Sequence, residues 1–300
     1  MAGTELGFIG LGALGGAIAT RLLDAGYRLR AWGRDPARLA PWRARGVTLE
    51  ASPAALAAAC DRVLLCVTDT AAVEAVVFGD NGIVVGARAD SVLVDHSTIH
   101  PLATRRYAAR LAAACGMRWL DAPVTGGVIA AEAGRLVIMA GGDAAVLDAQ
   151  RELFACYGQR VTHLGDNGAG QAAKIANQMM IGGNLAVAAE ALNYAANFGV
   201  AAARLPDALA GGWADSAVLQ HHARRMAAAD YSREVNATLM AKDIDIACDL
   251  GRETLSPMPV TALVQQMYRQ LIAQGDADKG QSGLMWLYRQ EKVPDPDEGS

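Results

Sequence analysis

The 300-residue chain lacks any excess of positive charge: 27 Lys and Arg stand against 31 Asp and Glu, a formal net charge of −4. Without a basic field nothing gathers a phosphate backbone, so nucleic acid is not expected as a partner. Aromatic residues make up only 5% of the chain, which argues equally against base-stacking surfaces. Long apolar runs are missing too. The most apolar stretch, near 168–198, carries Lys174, Asn177, Gln178, Asn184, Glu190 and Asn193, so no membrane span is expected. The opening Met1-Ala-Gly-Thr-Glu-Leu6 has no basic segment ahead of an apolar one, and a secretory signal is not expected. Cysteine is sparse: Cys60, Cys66, Cys115, Cys156 and Cys248 are odd in number and contain no C-x-x-C pair. They read as buried free thiols in a reducing, cytoplasmic compartment. His96 and His100 have the spacing of a helical metal pair. Pro101 and the β-type run before His96 place them instead on a strand-to-helix turn, so no metal site is expected.

What the chain has in abundance is apolar and small. It is 52% hydrophobic with 32 glycines, ample for a core, and its length suits two domains. Leu6–Ile9, Arg28–Trp32, Val63–Val67, Ser91–Asp95, Arg118–Leu120 and Leu136–Met139 read as strands, several of them continuously apolar as in sheets covered on both faces. Helical stretches lie between them. Asp35-Pro36 and His100-Pro101 mark helix starts, and Gly26 marks the end of the first helix. Alternation of this kind predicts right-handed βαβ units and a parallel sheet. After Gly165 the texture turns helical, with no convincing strand from Gly168 onward. The expected division is an α/β domain over 1–165, an all-helical domain over 166–292 and a frayed acidic tail over 293–300.

Gly10, Gly12 and Gly15 form a G-x-G-x-x-G that follows the first strand and opens the first helix. In that context Gly10 makes the tight turn, Gly12 admits a pyrophosphate, and Gly15 lets the helix pack on the strand. Gly10, Leu11, Gly12, Ala13 and Leu14 are therefore candidate cofactor residues; a plain βα turn is the alternative. An acidic residue ending the second strand would indicate NAD. That position is Gly33, followed by Arg34, while Asp35 is better explained as the cap before Pro36. Gly33 leaves room for a 2′-phosphate and Arg34 supplies a guanidinium for it, so NADP(H) is expected with NAD(H) possible; a solvated Arg34 is the alternative.

Four ordered segments carry a more specific signal: Gly7-Phe-Ile-Gly-Leu-Gly12, Asp121-Ala-Pro-Val-Thr-Gly-Gly127, Gly168-Ala-Gly-Gln-Ala-Ala-Lys-Ile-Ala-Asn177 and Lys242-Asp243. In these the chain resembles the β-hydroxyacid dehydrogenase family, which includes 3-hydroxyisobutyrate dehydrogenase and tartronate semialdehyde reductase. The resemblance implies an α/β Rossmann-type dinucleotide-binding domain followed by an all-α domain with a long interdomain helix, and a site in the cleft between them. It implies that Lys174 is the catalytic lysine, that Asn177 and Gln178 bind substrate, and that Thr125, Gly126 and Gly127 hold a substrate carboxylate. It also places Val67, Thr98 and Lys242 beside the cofactor. The sequence departs from the family at Thr125, where Ser is usual, and at Ala130, Arg135, Gln178 and Gly280, which bear on the substrate more than on the reaction.

The residues themselves allow that chemistry. Lys174, Asn177 and Gln178 fall at i, i+3 and i+4 of a helix and share one face. A lysine amine is protonated near neutral pH and ready to act as an acid, which favours aldehyde reduction. The expected activity is NADP(H)-dependent interconversion of a small carboxylate-bearing semialdehyde and its 3-hydroxy acid. An imine reductase-like enzyme and a non-catalytic nucleotide-binding protein are the alternatives. The resemblance further implies a homodimer or homotetramer, and the small residues Gly182, Gly183, Ala186, Ala188 and Ala189 allow close helix packing. Trp213 could wall a substrate site or fill the core, and Trp286 reads as core.

Overall fold

A computed structural model describes residues 5–231 and 235–288; the expected tail, 293–300, lies outside them. By packing, the chain divides into two units, Met1–Lys174 and Ile175–Ser300.

In the first unit, β1 (Glu5–Ile9), β2 (Arg28–Trp32), β3 (Thr48–Leu49), β4 (Arg62–Leu65), β5 (Val92–Asp95) and β6 (Arg118–Asp121) form one sheet. Their order is β3-β2-β1-β4-β5-β6 and every pair is parallel. Successive side chains leave opposite faces of a strand, and both faces are covered. Phe8, Leu64, Val94 and Leu120 enter one apolar cluster, while Ile9, Val63, Leu65, Leu93 and Trp119 enter the other. The uninterrupted apolar runs in the sequence are a consequence of this double burial. Because the chain runs outward from β1 to β2 and then crosses back to β4, the order reverses between β1 and β4. That reversal opens a crevice beyond the carboxyl ends of these strands, as in Rossmann folds.

A second, smaller sheet was not expected. It consists of β7 (Val124–Thr125), β8 (Leu136–Ala140) and β9 (Gly158–His163), with β8 antiparallel to β7 and parallel to β9. The run Leu136–Met139 is a strand, but it belongs to this sheet and not to the parallel one. β9 reads Gly-Gln-Arg-Val-Thr-His and is half-buried to exposed throughout, so its sequence shows no apolar alternation.

His96, just beyond β5, ties the two sheets. Its Nδ1–H donates to the Ala122 carbonyl at 2.7 Å, and the Tyr157 hydroxyl donates to Nε2 at 3.0 Å. The ring is therefore neutral, and burial pushes its pKa down to about 4. In the unfolded chain the same ring takes up a proton below about 6.5. Folding is thus favoured fully above that value and progressively less as pH falls towards 4. Stability is expected to drop by about 2 kcal/mol between about pH 7 and pH 5. Thermal melts of the wild type and His96→Gln at the two pH values test this, and an identical drop in both proteins would rule His96 out as the source.

The second unit is helical: among the described residues no strand follows His163. Leu185, Leu192, Met226, Met240, Ile244, Tyr268 and Leu284 build its core. The helices Ala237–Glu253 and Pro259–Ala273 pack together. The long helix Ala169–Asn197 begins in the first unit and continues into the second. At Gly182 a methyl group would stand 3.2 Å from both Ile244 and Val264, so glycine sets how closely these helices approach. Trp286 is half-buried, edge-on to Tyr231. Trp213 is fully exposed and fills no core. All five cysteines are free thiols; Cys60 and Cys248 are buried, but Cys66, Cys115 and Cys156 are only half-buried. Among the described residues no helix is long and apolar enough to cross a membrane.

Candidate active site

Parallel strands bring all their carboxyl ends to one edge, and residues 10–14, Gly33, Arg34, Val67 and Thr98 follow β1, β2, β4 and β5 there. Gly10 directly follows β1 with φ +101°, and a Cβ on it would lie 2.0 Å from the Cys66 carbonyl oxygen, so no other residue fits. A Cβ at Gly15 would lie 2.0 Å from the Gly10 carbonyl oxygen, so the helix sits directly against the turn. Gly12 differs: nothing stands within 4 Å of its missing Cβ. The space over Gly12 is open, and Gly12 caps the helix Ala13–Asp24 without any side-chain bond to its first turn. Leu11, Ala13 and Leu14 complete this turn, whose N–H groups suit a pyrophosphate. The residues present therefore fit a dinucleotide.

At the end of β2, the Asp35 carboxylate accepts from Ala37 N at 3.0 Å and caps the next helix, as the Asp-Pro pair predicted. The nearest atom to the absent Cβ of Gly33 is in the Leu39 side chain, at 3.3 Å, and Arg34 is exposed. Beyond β4 and β5, Val67 and Thr98 are half-buried and joined through Ser97, whose Oγ accepts from Val67 N at 3.0 Å.

The segment from Asp121 to Gly127 leaves β6 and enters β7, ending on half-buried Thr125. Gly126 and Gly127 follow with φ +120° and +66°, a backbone turn that favours glycine at both positions. Asp121 is fully buried, and its two oxygens accept from Gly168 N at 2.9 Å and Gln171 N at 3.0 Å. Burial raises its pKa, opposed by these bonds. The first turn of the long helix is thus seated on the end of β6. Gly170 permits the contact, since a methyl there would stand 2.5 Å from the Met139 carbonyl oxygen. Lys174 follows one turn later and is buried, only 8% exposed. Neither Asp121 nor Gln171 was singled out for a role in the sequence, because their partners come from 46 or more positions away.

In the second unit the candidates form their own group. Asn177 Nδ2 donates to Gln178 Oε1 at 2.9 Å, and Gln178 Nε2 donates to Asp243 Oδ2 at 2.7 Å. Lys242 Nζ lies 3.1 Å from Asp243 Oδ1. Buried Asp243 is therefore the centre of this group, joining Gln178 to the lysine beside it.

Residues 5–165 match the family profile described as the NAD binding domain of 6-phosphogluconate dehydrogenase. Residues 168–288 match the one described as NAD-binding of NADP-dependent 3-hydroxyisobutyrate dehydrogenase. The chain is 35% identical over 281 residues to the 2-hydroxy-3-oxopropionate reductase of Escherichia coli K12, across 94% of this chain and 96% of that protein. The solved structure of Mycobacterium tuberculosis 3-hydroxyisobutyrate dehydrogenase with L-serine aligns with a TM-score of 0.88 at 28% identity, over 97% of this chain and 100% of that one. A reductive aminase from Aspergillus terreus in complex with NADPH and ethyl levulinate aligns less well, with a TM-score of 0.61 at 25% identity over 95% and 99% of the two chains. Both profiles, the glycine turn and the buried lysine agree: the chain belongs to the 3-hydroxyacid dehydrogenase family and is an oxidoreductase that uses a nicotinamide dinucleotide.

Proposed function

We propose that this protein is an NADP(H)-dependent reductase of a small carboxylate-bearing semialdehyde, with Lys174 as its general acid. The observation that carries the reading is Lys174 itself. It is a lysine at 8% exposure on a helix whose first turn is bonded to Asp121, four residues before Thr125. A buried ionisable side chain on an anchored helix is a candidate general acid. When bound, the reduced nicotinamide supplies a hydride to the carbonyl carbon. Lys174 Nζ donates a proton to the carbonyl oxygen and stabilises the charge that develops on it. The Thr125 hydroxyl and the N–H groups of Gly126 and Gly127 hold the substrate carboxylate. Asn177, one helical turn after Lys174, orients the lysine or a second substrate oxygen, and Gln178 fixes Asn177 in turn. The open space over Gly12 receives the pyrophosphate, and Arg34 takes the 2′-phosphate of NADPH; Lys242 is assigned to the cofactor by family resemblance alone. A panel of short semialdehydes assayed with NADPH and NADH tests the reading, and turnover confined to substrates without a carboxylate would refute it.

The reading includes a homo-oligomer formed through the helical unit, in the cytoplasm. On the long helix Met180, Val187 and Tyr194 recur every seven residues at 70, 64 and 72% exposure, with Val260 of the neighbouring helix against Gly183. A stripe of this kind is suited to a second copy of the same chain. The double variant Met180→Glu with Val187→Glu is expected to lower the mass measured by light scattering to that of one chain. An unchanged mass would place any interface elsewhere.

A further inference from the structure

Gln171 is fully buried, three residues before Lys174 on the same helix. Its side chain does more than fill space. Nε2 donates to the Ser97 carbonyl at 2.7 Å, and Oε1 accepts from Ile99 N at 3.1 Å. These two bonds bracket Thr98. Ser97 in turn accepts from Val67 N through Oγ, and its own N–H donates to Asp95 Oδ1 at 2.9 Å. The backbone N–H of Gln171 is held by Asp121 at 3.0 Å. One residue thus joins the lysine helix to the loop after β5 and to the end of β6, and through Ser97 to the loop after β4. The orientation of the amide is forced, because one neighbour is a carbonyl and the other an N–H. Neither bond can be kept by an apolar side chain of the same volume.

We infer that Gln171 is a positioning residue that fixes the Lys174 helix in register with the Val67 and Thr98 loops, and so sets the lysine against the nicotinamide end of the cofactor. This rests on Lys174 as the proton donor proposed above. Reactive groups tolerate little displacement: a shift of about 1 Å can cost about 100-fold in rate. The register of helix and loop therefore affects turnover more than substrate affinity.

The test uses the full chain with Gln171→Met and Gln171→Glu. The methionine variant removes both side-chain bonds. The glutamate variant keeps the shape and an acceptor for Ile99 N but faces the Ser97 carbonyl with an oxygen. Three readouts are needed: hydrogen exchange at the Ile99 amide, Kd for NADPH and NADH by fluorescence titration, and kcat and KM with the best semialdehyde. In Gln171→Met the Ile99 amide is expected to exchange faster and the cofactor to bind more weakly. Its kcat is expected to fall about 100-fold with little change in substrate KM. In Gln171→Glu kcat falls while Ile99 keeps more protection than in the methionine variant, and this variant carries the test should the other not fold. Faster Ile99 exchange with wild-type kcat and cofactor Kd would overturn the inference, because the bonds would then be structural only. Unchanged Ile99 exchange in Gln171→Met would overturn it as well. Lys174→Met is measured in parallel. If that variant turns over normally, the proton-donor reading fails, while the Kd and exchange results still decide whether Gln171 holds the cofactor loops.

Discussion

Lys174→Met is expected to lower kcat for semialdehyde reduction by about 10²- to 10⁴-fold while NADPH binds as in the wild type. Methionine matches the lysine stem in length and is at ease in a buried position, so the fold is retained and only the ammonium is removed. If the proton is delivered in the transition state, kcat and kcat/KM fall together and KM barely moves. A rise in KM alone would instead mean that Lys174 binds the carboxylate. Full activity in the variant would remove Lys174 from the chemistry. NADPH binding with no turnover in the wild type, on any semialdehyde, would favour a nucleotide-binding protein that has lost catalysis.

The second large effect concerns the cofactor. Gly33→Asp combined with Arg34→Ala is expected to shift the ratio of kcat/KM for NADPH over NADH by about 100-fold towards NADH. The first change supplies a carboxylate for the ribose hydroxyls, and the second withdraws the partner of the 2′-phosphate. The geometry allows both. The nearest atom to a Cβ at position 33 is the tip of the Leu39 side chain, 3.3 Å away, which must shift by only a few tenths of an ångström, and Arg34 is exposed. Asp35 cannot take the carboxylate role unaided, because it caps the following helix through Ala37 N. A wild type that already prefers NADH would refute the assignment of Arg34 directly.

Much of the fold was legible because its signals are local. Gly10 and Gly15 are read from their neighbours, and the structure gives each one a backbone atom that excludes a side chain. Asp35-Pro36 and His100-Pro101 are read as helix starts, and both residues do accept from the helix N–H groups. Signals that depend on distant partners were not legible. β9 pairs with β8 across an intervening helical stretch, and its polar residues carry no strand pattern. Gln171 resembles any polar residue on an apolar helix until Ser97 and Ile99 are placed against it. Asp243 was read with Lys242 as a family pair, but its bond to Gln178, 65 residues away, was not. Lys174 was legible through family resemblance and helical spacing, but its burial was not.

The proposed proton-donor role of Lys174 carries a direction: a lysine that gives up a proton serves aldehyde reduction, whereas alcohol oxidation needs it to accept one. NADP-dependent oxidation of a 3-hydroxy acid that far outpaced reduction near neutral pH would therefore count against this mechanism. The most direct measurement is the initial rate of NADPH oxidation by the wild type with 2-hydroxy-3-oxopropionate, other short carboxylated semialdehydes and a cyclic imine, each compared with Lys174→Met. The expected result is turnover of a carboxylated semialdehyde that depends on Lys174. Preference for the cyclic imine, or turnover indifferent to Lys174, would contradict it.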